Sequence, residues 1–337
     1  AYLPAMPPLW AIRASVWARH LRTGQLLLGL LQRVGGSPAK KMEWRGMETF
    51  ARSTVRGDDP RLEPVYRNFE RNLRDILGVA AGAGARTVVA TLVANLKDSS
   101  PFVSLHRADL KPAELGAWQV AYEAGVRAWQ LDDTERARDH LTTARQIDPQ
   151  YADTHFLLGR LEEARGDIAA ARRCYLEALQ WDALRFRPVP RLNEIIRRVA
   201  REAGPGVRLV DAALDLGADP SATVPPAGRE VLFEHVHFNW DGNARMARLL
   251  AEACAASLPA SIASPGGVWL EAGQCAAALG ATEYGQLAMI EKMAQLTAKP
   301  PFTTQLTFGE NQTRFQAAMT ARRRAVMTPA ALQAAAE

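Results

Sequence analysis

Residues 118–150 read WQVAYEAGVRAWQLDDTERARDHLTTARQIDPQ, and residues 151–184 read YADTHFLLGRLEEARGDIAAARRCYLEALQWDAL. Laid one over the other, Gly125 falls on Gly159, Ala137 on Ala171, Ala144 on Ala178 and Asp148 on Asp182, each pair 34 residues apart. Asp132-Asp133 and Gly166-Asp167 take equivalent places between two apolar-periodic runs. Each copy therefore predicts a helix, a tight turn and a second helix. The small residues let the two helices of a copy approach closely. Leu158, Leu161, Tyr175, Leu179 and Trp181 fill the space between them.

This period and these offsets resemble the tetratricopeptide repeat. Pro149 follows the second helix of the first copy, as in that family, and Ala183 stands in its place in the second, so the array is expected to stop there. Two copies fall short of the roughly three that a free-standing array needs. They should pack on the rest of the chain, through the helix around Pro112 to Ala117 or through Arg191 to Ala203. The resemblance implies a protein partner as one use of the repeats. A structural insertion or lid is the other. Trp129 and Tyr175 are the residues whose loss should release such a partner.

On both sides of the repeats the pattern changes to α/β. Asp58-Asp59-Pro60 starts a helix over Arg61 to Ala80, with Leu62, Val65, Phe69, Leu73, Ile76 and Leu77 on one face. A glycine turn (Gly82 to Arg86) leads into Thr87-Val88-Val89-Ala90-Thr91-Leu92-Val93, a short β-branched run that reads as a buried parallel strand. Beyond the repeats come an amphipathic helix over Arg191 to Ala203, the stop Gly204-Pro205-Gly206 and a second short strand, Val207 to Asp211. The repeats are thus expected to sit inside an α/β domain, between two of its strands. In open parallel sheets the loops after the strands' carboxyl ends carry the site. Asn95 and Asp98, followed by Ser104 and His106, occupy that place, although Asn and Asp also serve as plain turn residues there.

The second α/β stretch ends in Val231-Leu232-Phe233-Glu234-His235-Val236-His237-Phe238-Asn239-Trp240-Asp241-Gly242-Asn243, followed by a helix to about Ala256. It resembles the last block of the SGNH/GDSL hydrolases, in which an acid three residues before a histidine precedes a turn and the final helix. By that resemblance Glu234 orients His237, His237 is general base to a serine, and Asn239 lies in the active-site loop with Asn95, Asp98 and His106. Glu replaces the family's more usual Asp. Asp59-Pro60-Arg61-Leu62, Asn95-Leu96-Lys97-Asp98, Pro101-Phe102, Ser104-Leu105-His106-Arg107 and Leu184-Arg185-Phe186-Arg187 extend the likeness to a bacterial subgroup with inserted tetratricopeptide repeats. The implied fold is α/β, an SGNH-like (flavodoxin-like) parallel core carrying an all-α insertion. The implied activity is ester hydrolysis or acyl transfer on an acyl-ester or carbohydrate-ester substrate, with no cofactor.

Two family blocks are missing. No Gly-Asp-Ser occurs: Gly57-Asp58 runs into Asp59 and Gly166-Asp167 into Ile168. The Gly-X-Asn-Asp block is absent too, and there is no Gly-X-Ser-X-Gly elbow. Either these blocks lie upstream of Ala1, the expectation drawn from the non-Met start, or the chain is a non-catalytic relative built for binding. In both cases these residues alone lack a serine centre. His235 and His237 also form an H-x-H pair, but no third residue has recognisable metal-ligand spacing.

The expected organisation is 1–112 and 191–256 for the two α/β parts, 113–190 for the repeats and 257–337 for a helical extension. Of the 337 residues, 48% are hydrophobic and 23% charged, which excludes wholesale disorder. Three distant cysteines (Cys174, Cys254, Cys275) exclude a disulfide framework. A net charge of +5 with scattered arginines gives no nucleic-acid signature, and no apolar run approaches the ~20 residues of a membrane span. Residues 10–33 read as a packing helix, their basic face too thin to favour a membrane-surface helix. No compartment is legible.

Overall fold

The computed structural model describes residues 9–34, 46–50, 53–259, 261–262 and 268–327. Among them the chain is helix-rich, with thirteen α-helices and two strands. The strands are β1 (Thr87–Ala90) and β2 (Val207–Val210), paired parallel with Thr87 opposite Val207. The expected topology therefore holds: the repeats lie in the crossover between two neighbouring strands. Among the described residues the sheet has two strands, fewer than the SGNH-like core implied by the resemblance. The predicted strand to Val93 ends at Ala90, because residues 91–96 turn away to meet other partners. Leu92, for example, exchanges both backbone hydrogen bonds with the Asn193 side chain, each at 2.8 Å.

Alternation along β1 buries the sheet from two sides. Val89 packs with α3 (Leu62–Gly82) and α8 (Pro190–Glu202), while Val88 and Ala90 pack with α10 (Trp240–Ala255). Thr87 N–H donates to Gly206 O and Thr91 N–H to Val210 O. By the parity of a parallel ladder, Val88 and Ala90 then direct their backbone groups away from β2, and no described strand takes them.

The repeats form two antiparallel pairs, α4 (Pro112–Gln130) with α5 (Thr134–Ile147) and α6 (Ala152–Ala164) with α7 (Ile168–Trp181). Their equivalences are physical at each offset. Asp132 (φ 58°) and Gly166 (φ 83°) are left-handed at the two turns. Asp133 and Asp167 then cap α5 and α7, accepting from Arg136 N–H and Ala170 N–H. A Cβ at Gly125 would stand 2.7 Å from Leu141, and one at Gly159 2.6 Å from the Tyr175 ring. Gly159→Ala is therefore expected to lower stability by about 1–3 kcal/mol through overpacking, read from urea unfolding. A smaller loss would mean that α6 and α7 are not in close contact.

The second repeat does not stand free. Phe156, Tyr175 and Leu179 share a core with Tyr66 and Leu77 of α3, with Ala94 and Leu96, and with Ile195 and Val199 of α8. Trp129 packs with Leu141 and Leu157, and Tyr175 is fully buried with its hydroxyl on Glu163 at 2.6 Å. Of the two residues offered as partner contacts, Tyr175 is thus core, where its loss would destabilise the fold, and Trp129 is half-buried against the core. A last helical pair, α12 (Glu283–Thr297) and α13 (Phe308–Val326), packs around Phe315 and Met319 and reaches Phe233. The helix expected over residues 10–33 breaks at Leu21 into α1 (Leu9–His20) and α2 (Arg22–Val34), and Trp10, Val16, Trp17, Leu26, Leu27 and Leu30 are exposed. Among the described residues it packs against no core cluster.

Candidate functional site

The loop between β2 and α10 doubles back on itself. Leu232 bridges Phe238, and Phe233 N–H donates to His237 O at 2.8 Å, leaving Glu234 to His237 at the tip. Asn239 closes the loop as the cap of α10, its Oδ1 accepting Gly242 N–H at 2.8 Å and its Nδ2 donating to Arg229 O. Gly242 is required: a Cβ there would fall 1.9 Å from Val231 O. Asn239 is thus a cap, which serves the site by fixing where the loop ends.

Glu234 is only 4% exposed. Its Oε1 accepts the His237 backbone N–H at 2.8 Å and faces His237 Nδ1 at 2.5 Å, while Oε2 accepts the His235 N–H at 2.8 Å and abuts the His235 ring. The His237 side chain is 56% exposed. A carboxylate on Nδ1 sets the ring with its proton on that nitrogen, leaving Nε2 as an acceptor turned to solvent. His235 plays a different part. Its ring is buried between Phe102 and Phe302, and burial, with Arg187 and His237 nearby, pushes it down to about 3. It stays neutral and fills the core behind Glu234.

Glu234, His235 and His237 cluster tightly enough to suggest a cation site. Ligands around a tetrahedral ion at about 2.1 Å lie roughly 3.4 Å apart. Glu234 Oε1 and His237 Nδ1, 2.5 Å apart, are instead in direct hydrogen-bond contact.

Asn95 and Asp98 come to the same place, as supports. Asn95 is fully buried; its N–H donates to His235 O and its Nδ2 to Glu234 O at 2.9 Å, while its Oδ1 accepts Asp98 N–H. Asp98 Oδ2 accepts Arg229 N–H at 2.7 Å, and Asn311 of α13 donates to Asp98 O. Both loops are thereby sewn together. Val236 and Phe238, on either side of His237, border a cavity of about 320 Å³ shared with Thr91, Leu92, Pro188 and Met246. A larger apolar cavity of about 880 Å³ lies along α10, between Trp240 and Trp269.

His106 is elsewhere. Its ring rests on Trp118 and Tyr151, and its Nδ1 meets Asp148 Oδ2 at 2.7 Å. It belongs to a loop grip that the sequence did not reveal. Asp148 and Asp182 are the 34-apart residues at the ends of α5 and α7, and both turn their carboxylates onto the segment after β1. Asp182 accepts Phe102 N–H and Val103 N–H, and Asp148 accepts Arg107 N–H. Ser104, between them, accepts Asp153 N–H at 2.9 Å. The ends of the repeat helices thus hold the chain's own Phe102–Arg107 segment. The 34-residue spacing marked both aspartates, but only as helix ends.

Asp153 lies under that segment, and burial raises its carboxyl to about 7. The folded state therefore retains a proton that the unfolded chain releases near pH 4, and stability falls as pH rises from about 4 to about 7. Asp153→Asn removes this term. Its melting temperature is expected to gain on the native protein's across that window, measured by circular dichroism at each pH. A constant difference would contradict the assignment.

The tetratricopeptide repeat family matches residues 128–187. No curated protein and no solved structure matches the chain.

Proposed function

We propose that the chain is a protein-binding module in which two tetratricopeptide-type helical pairs are carried on an α/β scaffold. On this reading 113–190 is the binding unit, 1–112 and 191–256 are the scaffold, and 257–337 is a helical extension. The observation that carries the reading is an unused stripe on α4. The inner face of α6 is covered by the chain itself, through Ser104 and Glu310. Along α4 and its C-cap, by contrast, Val120, Glu123, Arg127 and Leu131 fall on one side at helical spacing and are all exposed. Apolar residues at both ends of an ionic centre suit a partner helix, as the next pair of a repeat array would stack. The test is Val120→Glu with Leu131→Glu in the full chain. Partners that copurify with the native protein should be lost while the thermal melt is unchanged. Retention of those partners would move binding to another surface.

A second reading rests on Glu234 and His237. Their geometry supports the acid–histidine half of an SGNH-like serine ester hydrolase or acyltransferase acting on an acyl-ester or carbohydrate-ester substrate. His237 Nε2 would take the proton of a serine supplied from outside the 337 residues, Glu234 would stabilise the imidazolium, and Asn95, Asp98 and Asn239 would hold the loop. The cavity beside Val236 and Phe238 would receive an apolar substrate group. In a polypeptide that includes the nucleophile, His237→Ala should cut hydrolysis of a short p-nitrophenyl ester by about 10³-fold or more. An unchanged rate would remove this reading.

A further inference from the structure

The amino-terminal helices carry a feature that neither reading uses. Across α1 and α2, Trp10, Val16, Trp17, Leu26, Leu27 and Leu30 are each more than half exposed, and none belongs to a described core cluster. Exposed apolar area of this extent calls for a covering phase. Residues 9–34 also contain Arg13, Arg19, His20, Arg22 and Arg33 and no Asp or Glu. Their one described ion pair to the body is Arg13 with Asp75 of α3. In α2 the exposed Leu26, Leu27 and Leu30 form one apolar flank, with Arg22 one turn before Leu26 at its border.

The charge of the whole chain points the same way. Residues 1–47 hold seven Lys and Arg against Glu43 alone, and the remaining residues hold 34 basic against 35 acidic. The net positive charge is therefore an amino-terminal property. Basic residues beside exposed Trp and Leu on short helices are the signature of a segment lying in a lipid interface: the rings and Leu side chains enter the headgroup boundary, and the guanidinium groups stay with the phosphates. Neither helix is long and apolar enough to cross a membrane. A nucleic acid would satisfy the arginines but leave the Leu and Trp side chains in water.

We propose that α1 and α2 form an interfacial anchor for an anionic lipid surface. The proposal rests on neither the partner reading nor the hydrolase reading. The test is flotation of the full chain with extruded phosphatidylcholine vesicles, with and without about 25 mol% phosphatidylglycerol, at about 0.15 M salt. The chain should float with the anionic vesicles and roughly tenfold less with neutral ones. Tryptophan emission should shift blue, and lipid carrying a shallow quencher should quench it. Two variants, Leu26→Ser with Leu27→Ser and Leu30→Ser, and Arg19→Gln with Arg22→Gln, should each weaken binding about tenfold or more. Both leave the described core untouched, so their melts should match the native one. The proposal is overturned by failure to float with anionic vesicles, or by flotation of either variant as strong as the native. It is equally overturned by a soluble oligomer that the Leu variant disperses and vesicles do not.

Discussion

Asp182→Ala should cost about 3–5 kcal/mol of stability, the largest loss expected from a single side chain here. Asp182 and Arg187 form a buried pair, 2.9 Å apart and nearly free of solvent. The carboxylate also accepts from Phe102, Val103 and Leu184 N–H. The guanidinium donates to Asn95 O and Ser99 O at 3.0 and 2.7 Å. Removing the acid leaves a buried cation without its counter-charge and three backbone donors without an acceptor. Both effects are expensive in a low dielectric. Asp148→Ala is the internal comparison. It loses Arg107 and Gln150 N–H and a half-buried His106, so it should cost about 1–3 kcal/mol. Urea unfolding of the two variants gives both numbers. Equal losses, or a loss below about 1 kcal/mol for Asp182→Ala, would mean that the second repeat does not hold the loop.

Glu234→Ala should cost about 2–4 kcal/mol and change the state of His237. The buried carboxylate is the acceptor for the backbone N–H groups of His235, Val236 and His237 and faces His237 Nδ1. In the native protein the neutral His237 ring should carry its proton on Nδ1. Without the carboxylate it should revert to the Nε2–H form common in solution. Glu234→Gln separates the two effects. The amide oxygen can still accept a backbone N–H, so stability should fall less, while the negative charge facing Nδ1 is gone. Long-range nitrogen–proton correlation spectra of His237 distinguish the tautomers. An Nε2–H ring in the native protein would remove the basis for His237 as a base.

The sequence disclosed the secondary structure more fully than the site. Helices over 62–82, 190–202 and 240–255 and the four repeat helices lie within a few residues of their expected places, because each carries a regular apolar period bounded by Gly, Pro or a capping Asp. The insertion of the repeats between two parallel strands was legible for the same reason. For residues 10–33 apolar periodicity shows that a helix has a greasy side and not what lies against it. At the site, Glu234 and His237 meet because a three-residue offset in a tight turn brings them into contact. His106 was drawn into the site by its position after β1. It is held instead by Asp148, 42 residues on, and such long-range pairing leaves no local trace in sequence. Asn95 and Asn239 were read as active-site groups. Their side chains are spent on backbone hydrogen bonds, a role that the residue type alone does not separate from chemistry.

The claim that unites the fold is that the ends of the repeat helices grip the chain's own Phe102–Arg107 segment, which fixes the loops around Glu234. Native-state hydrogen exchange of the Phe102, Val103 and Arg107 amides tests it most directly. These amides should exchange as slowly as those within α6 and α7, and Asp182→Ala should release Phe102 and Val103 while Arg107 stays protected by Asp148. Exchange of all three at the rate of an open surface loop in the native protein would contradict it.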